Sequence, residues 1–179
     1  MVASIFLADG FEEIEAIAVI DILRRANIEV KVVGIANKII TGAHGITVTC
    51  DVEDKNFEFD NKIKMLILPG GMPGTLNLQN SKFVCSAIDI AIEKNIYIAA
   101  ICAAPIILGE QGLLKGKEAV CYPGFEKKLL GSKVVNSLIC VDGQFITAKG
   151  PGVAIDFALQ LVDILSKDKL EQVKKDLLI

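Results

Sequence analysis

The sequence predicts an α/β protein, a mostly parallel sheet with helices on both faces. Short apolar runs alternate with stretches of helical periodicity, the pattern of repeated strand–helix units. Apolar side chains make up 52% of the 179 residues and aromatic ones only 6%. Such an Ile-, Val-, Leu- and Ala-rich composition suits strands buried on both sides. Two apolar runs end in abrupt breakers, at Pro69-Gly70-Gly71-Met72-Pro73-Gly74 and at Cys102-Ala103-Ala104-Pro105, where a chain leaves a sheet. With no linker, repeat or low-complexity segment, one domain is expected over residues 1–179.

In chain order, Val2 to Ala8 reads as the first strand. Asp9, with Glu12 three residues later, forms a capping-box pattern for a helix from about Glu13 to Ala26. Glu29 to Val33 is a second strand and Gly45 to Cys50 a further one. The charged stretch Asp51 to Lys62 is expected to be loop. Lys64 to Leu68 is a strand, and Ser81 caps an amphipathic helix to Lys94. Ile96 to Ile101 is the strand that stops at Cys102. Val134 to Thr147 reads as a hairpin turning at Asp142-Gly143. Two helices close the chain, Val153 to Leu165 and Lys169 to Leu178.

Composition narrows function. The net charge is −3 with no basic run, so nucleic acid is not an expected partner. No apolar run reaches the ~20 residues of a membrane span. The first residues read as a strand, not a signal peptide. Five cysteines, an odd number without CxxC or Cys/His spacing, fit reduced thiols in a cytoplasmic protein rather than a zinc site or disulfide framework. Four of them are expected to be small core residues, and no metal or organic cofactor is implied.

Ala99-Ala100-Ile101-Cys102-Ala103-Ala104-Pro105 carries the sharpest chemical signal. A strand that turns directly into a helix projects the turn residue out of the sheet. Small residues at 100 and 104 permit the turn, and Pro105 suits a first helical turn. Cys102 would then lie at a helix N-terminus, where the dipole favours a thiolate. The alternative is a buried cysteine ending a core strand.

Glu15 shares a helical stripe with Ala18, Val19 and Ile22. Buried there, it would stay protonated and donate a hydrogen bond. At the wet edge of the stripe it would be an ordinary surface acid, like Glu12 and Glu13. Gly70 and Gly71 either lend backbone N–H groups to an oxyanion or form an ordinary turn. Tyr122 lines a pocket or simply packs. His44, the single histidine, is either an exposed loop residue or the base of a Cys–His pair. Arg24 and Arg25 close the first helix as solvated charges, with ligand or partner contact as the alternative. In an open sheet, the turns after the first strand (Asp9 to Glu15), after the middle strand (Pro69 to Gly74) and after the elbow strand (Cys102) meet at the carboxyl edge, where ligands bind.

Taken together, four segments resemble the ThiJ/PfpI superfamily, within it the subfamily of the parkinsonism-linked protein deglycase and its bacterial relatives. They are Asp9-Gly10-Phe11-Glu12-Glu13-Ile14-Glu15, Leu68-Pro69-Gly70-Gly71, Ala99 to Pro105, and Lys149-Gly150-Pro151-Gly152. The resemblance implies a flavodoxin-like sandwich and a homodimer. It matches Cys102 to the reactive cysteine and Glu15 to its protonated partner. Gly71 and Ala103 match the positions whose N–H groups form the oxyanion pocket. Tyr122 stands where some members carry a histidine, and His44 matches a position near site and interface that is often arginine. The implied activities are glutathione-independent glyoxalase chemistry on methylglyoxal-type 2-oxoaldehydes and deglycation of their adducts on protein side chains. A second implied role is oxidative-stress sensing through Cys102, sometimes linked to chaperone behaviour. A cysteine peptidase or amidohydrolase is a third reading, weakened by the distance of His44 from Cys102 in sequence.

Overall fold

A computed structural model describes all 179 residues. Eleven strands form in chain order: β1 (Val2–Leu7), β2 (Glu29–Gly34), β3 (Ile39–Thr41), β4 (Thr47–Thr49), β5 (Val52–Glu53), β6 (Ile63–Leu68), β7 (Tyr97–Ile101), β8 (Glu118–Ala119), β9 (Lys133–Val134), β10 (Ile139–Asp142) and β11 (Phe145–Ala148). Six helices accompany them: α1 (Glu13–Arg25), α2 (Gly74–Asn80), α3 (Lys82–Glu93), α4 (Pro105–Glu110), α5 (Ala154–Ser166) and α6 (Leu170–Leu177). Seven strands make one sheet in the order β10-β11-β7-β6-β1-β2-β5. All its pairings are parallel except the β10–β11 hairpin at one edge. The expected α/β sandwich is therefore the observed one.

Strand alternation divides the interior into two cores. Ile5, Leu7, Ile67, Ala99 and Ile101 face α1 and α5, where they meet Val19, Leu23, Phe157 and Leu161. Phe6, Leu66, Leu68, Ile98 and Ala100 face the other way, against Val84, Ile88 and Ile106 of α3 and α4. Each fully buried aliphatic side chain contributes about 1.5–3 kcal/mol by leaving water. No helix is long and apolar enough to cross a membrane.

Four local readings need correction. The capping box does not form. Glu12 occupies the N-cap of α1 without a side-chain cap, while Asp9 Oδ1 accepts from the Thr41 amide at 2.8 Å. The expected strand over Gly45 to Cys50 shrinks to β4, which pairs with β3 outside the main sheet. The expected loop over 51–62 contains β5, which adds an edge to the main sheet by pairing with β2. The hairpin turns at Gly143-Gln144, because Asp142 is already paired with Phe145. Ser81, by contrast, caps α3 as expected, accepting from the Val84 amide at 3.3 Å.

Candidate active site

The end of β7 places Cys102. Its φ is +65°, a left-handed conformation that costs a residue with a Cβ energy unless its surroundings impose it. Two hydrogen bonds impose it here. The Cys102 amide donates to Ala148 O at 2.9 Å, and its carbonyl accepts from the Tyr122 amide at 2.7 Å. Pro105 then opens α4 at its first turn. The strand–turn–helix elbow read from the sequence is present.

The first turn of α1 places Glu15, which is fully buried. The stripe carries it inward rather than to the wet edge. Oε2 accepts from the Gly70 amide at 2.8 Å. Oε1 has no nitrogen or oxygen partner, and the group beside the carboxyl is the Cys102 side chain. Burial pushes the Glu15 pKa up to about 7, and the Glu12 charge adds to the rise against the opposing Gly70 and Cys102 hydrogen bonds. Gly70 permits the pairing by lacking a side chain. A Cβ there would lie 2.6 Å from Cys102 Cβ and 2.7 Å from Glu15 Oε2.

Burial also pushes the Cys102 thiol up, to about 12, and the Glu15 charge and hydrogen bond add to the rise. The Ala103 and Gly71 N–H groups pull it down. The expectation of a thiolate favoured by a helix dipole is thus corrected. α4 has six residues and starts three positions after Cys102, so desolvation and the neighbouring carboxyl outweigh it. Cys102 and Glu15 titrate as a pair. Between about 7 and about 12 they hold one proton between them. When that proton sits on Glu15, the acid donates toward sulfur while Gly71 and Ala103 N–H groups face the thiolate.

Sulfur opens into a cavity of about 250 Å³. Gly71 and Ala103 line it at the sulfur, Glu12 adds an acidic residue to the lining, and Met72, Tyr122, Phe125 and Pro151 supply apolar walls. A larger cleft of about 370 Å³ lies between the ends of β1 and β2 and the start of α3, but it contains no cysteine, and its one hydroxyl, Ser81, caps α3.

The DJ-1/PfpI family model matches residues 1–164. The chain belongs to the DJ-1/PfpI family. It is 35% identical over 185 residues to Drosophila melanogaster protein dj-1beta, covering 99% of this chain and 96% of the fly protein. It is 34% identical over 178 residues to Arabidopsis thaliana protein DJ-1 homolog A, covering 97% of this chain and 45% of the plant protein. The chain thus spans less than half of that relative. A Caenorhabditis elegans relative named glutathione-independent glyoxalase DJR-1.2 is 31% identical over 159 residues, covering 86% of this chain and 82% of the worm protein. The solved structure of oxidized Toxoplasma gondii DJ-1 superposes with a TM-score of 0.93 at 33% identity, covering 99% of this chain and 97% of that one.

Within this DJ-1/PfpI fold the remaining predicted residues fall in different places. The Gly71 and Ala103 N–H groups face the sulfur, but the Gly70 N–H is taken by Glu15 and is not free for an oxyanion. Tyr122 lines the cavity and stacks edgewise on Phe125 at 6.4 Å between ring centres. His44 does not reach Cys102. Its Nδ1 lies 2.8 Å from Glu13 Oε2 and 3.8 Å from Glu12 Oε2. Glu13 is buried, which raises its pKa, but hydrogen bonds from His44 and Ile46 outweigh this and hold it below the usual range. The Glu13 hydrogen bond raises the His44 pKa in turn. Glu12, Glu13 and His44 are the one trio close enough to share a metal ion, yet both Glu13 oxygens are already engaged by His44 and Ile46. Arg25 pairs with Asp21 at 2.7 Å on the surface and is not part of the cavity. Of the four cysteines read as core, Cys50, Cys121 and Cys140 are buried and Cys85 only partly so.

Sequence reading missed Met72, Phe125, Pro151 and Glu12 as cavity residues. Met72 and Pro151 lay inside segments already marked as turns. Glu12 was assigned to helix capping, which obscured its other use. Phe125 has no local signal, because only the turn after Cys121 brings it into the cavity wall.

Proposed function

We propose that this protein is a cysteine-dependent, glutathione-independent glyoxalase acting on small 2-oxoaldehydes or on their adducts with protein side chains. The observation that carries this reading is the pairing of Cys102 with a fully buried Glu15, beneath a small cavity. Cys102 as thiolate attacks the aldehyde carbon, forming a C–S bond and an alkoxide. The Gly71 and Ala103 N–H groups stabilise that oxyanion, and Glu15 supplies its proton. Glu15, now a carboxylate, takes the proton from the former aldehyde carbon and delivers it toward the neighbouring carbonyl. The hemithioacetal becomes a thioester of a 2-hydroxy acid, and water releases the acid. Carbon is internally oxidised at one centre and reduced at the next, so no external oxidant or metal is required. The glyoxalase name of the worm relative supports the substrate class.

The test is conversion of methylglyoxal to lactate without glutathione, by the native protein and by Cys102→Ser, both freed of contaminating glyoxalases. Turnover that disappears in the variant supports the reading. Native protein without turnover overturns it.

A second reading, an oxidative-stress sensor, is favoured by the half-buried position of Cys102 next to two N–H donors and by the oxidized state of the Toxoplasma relative. Glu15 would hold a sulfinate oxygen. Mass spectrometry after peroxide titration should find Cys102 oxidised before Cys50, Cys85, Cys121 and Cys140. Uniform oxidation sinks it. The reading extends to a homodimer in a reducing cytoplasm, where five free thiols stay reduced.

A further inference from the structure

The chemistry above leaves one step without a base, the hydrolysis that frees the acyl group from sulfur. We propose that Glu12 is the general base for this step, an inference that rests on the glyoxalase reading of Cys102. The attacking water must come through the cavity. Glu15 is fully buried and is not among the cavity walls. Glu12 is the one acidic residue that is.

Three features hold it ready. Its amide donates to Gly70 O at 2.9 Å, tying its backbone to the strand end that also orients Glu15. Gly71 packs so closely that a Cβ there would lie 2.4 Å from the Glu12 nitrogen. The Glu12 side chain does not cap α1, so its oxygens remain available, and Oε2 lies 3.8 Å from His44 Nδ1 at the outer edge. The side chain is 14% exposed, enough to exchange a proton with solvent.

In the proposed step the Glu12 carboxylate takes one proton from water. The water oxygen bonds to the thioester carbon, and the resulting oxyanion collapses with cleavage of the C–S bond. Cys102 departs as a thiolate toward the Gly71 and Ala103 N–H groups. The 2-hydroxy acid leaves, and the proton on Glu12 passes to solvent. No atom changes oxidation state in the step.

The experiment compares native protein, Glu12→Gln and Glu12→Asp with methylglyoxal, by rapid quench and intact-mass spectrometry. Glu12→Gln should form the Cys102 acyl adduct at the native rate and clear it on the order of 100-fold more slowly, the scale of a lost general base. Glu12→Asp should recover part of the clearance. Hydroxylamine attacks thioesters without a base, so it should restore turnover in Glu12→Gln and yield the hydroxamate, which also shows that the variant is folded. Native clearance by Glu12→Gln overturns the proposal, and so does loss of adduct formation in that variant. If the native protein itself forms no adduct, the glyoxalase reading fails and this step falls with it.

Discussion

Glu15 is where residue chemistry and folding energetics conflict most directly. Its carboxyl group has left water entirely, and its pKa rises to about 7. An acid whose folded pKa lies above its unfolded value favours folding most fully below the unfolded pKa. That contribution is lost as pH climbs through the folded pKa. The window runs from the ordinary value of 4.5 to about 7. Relative to Glu15→Gln, the native protein should therefore lose on the order of 3 kcal/mol of unfolding free energy between pH 4.5 and pH 8. Urea titrations of both proteins across that range measure it, and parallel curves would refute the buried carboxyl. Function asks for the opposite protonation history. Below about 7 the pair holds two protons and no thiolate is present. Burial and the Glu15 charge hold the thiol up toward about 12, so iodoacetamide alkylation of Cys102 should keep rising well above this step, and Glu15→Gln, which removes that charge, should shift the rise to lower pH. The stripe pattern admitted a buried Glu15 but could not choose it. An acid at a stripe's edge and one at its centre differ by a small rotation that only packing against Gly70 and Cys102 decides.

At the scale of elements, the site exists because three strand ends stop at one level. β1 leads to Glu15, β6 to Gly70 and Gly71, and β7 to Cys102. Their pairing order, β7-β6-β1, sets the turns side by side. Gly70 is the point where they touch. Its φ raises no difficulty, so the cost of a side chain is purely steric. Gly70→Ala should destabilise the fold by about 1–3 kcal/mol through overpacking. It should also speed Cys102 alkylation by forcing the thiol away from the Glu15 carboxyl that raises its pKa. Thermal melting and alkylation rates check both effects, and unchanged values in both would mean that the contact is looser than described. The breaker segments were legible as turns because Pro and Gly act locally. α2, which begins within one of them, was not. Gly74 and Thr75 are poor helix starters, and the turn forms because the Gly74 and Thr75 amides find Gly10 O at 3.1 Å and Gly71 O at 2.9 Å.

For the whole molecule, the sheet buries a core on each face and leaves several large apolar side chains exposed, three of them near the start of α1. Ile14 and Ile17 of α1 are 58% and 41% exposed, and Ile46 is 55% exposed. The Ile46 amide points to Glu13, so the three share one surface beside the site. Isolated exposed Ile residues need no explanation, but a cluster marks an interface. A second copy of the chain is the proposed occupant, in line with the homodimer reading. Sedimentation equilibrium should give twice the chain mass for the native protein and the single-chain mass for Ile14→Glu. A native protein sedimenting as a single chain would end the proposal.

The sequence by itself determined the fold class, the order of the main strands and helices, the elbow at Cys102 and the Pro-Gly-Gly turn. Each of these is written in local periodicity or in the backbone preferences of Gly and Pro. It raised Cys102, Glu15 and Gly71 as candidates with open alternatives, and only the family resemblance pointed to Ala103. Only the tertiary structure decided their electrostatics and their neighbours. Burial and the Glu15 carboxyl, both products of long-range packing, reversed the expected effect of the helix dipole on Cys102. The Gly70 N–H went to Glu15 because β6 and α1 meet there. Phe125, Met72, Pro151 and Glu12 became cavity walls because the ends of separate strands converge. Such contacts depend on separations of tens of residues along the chain, and no local pattern encodes them.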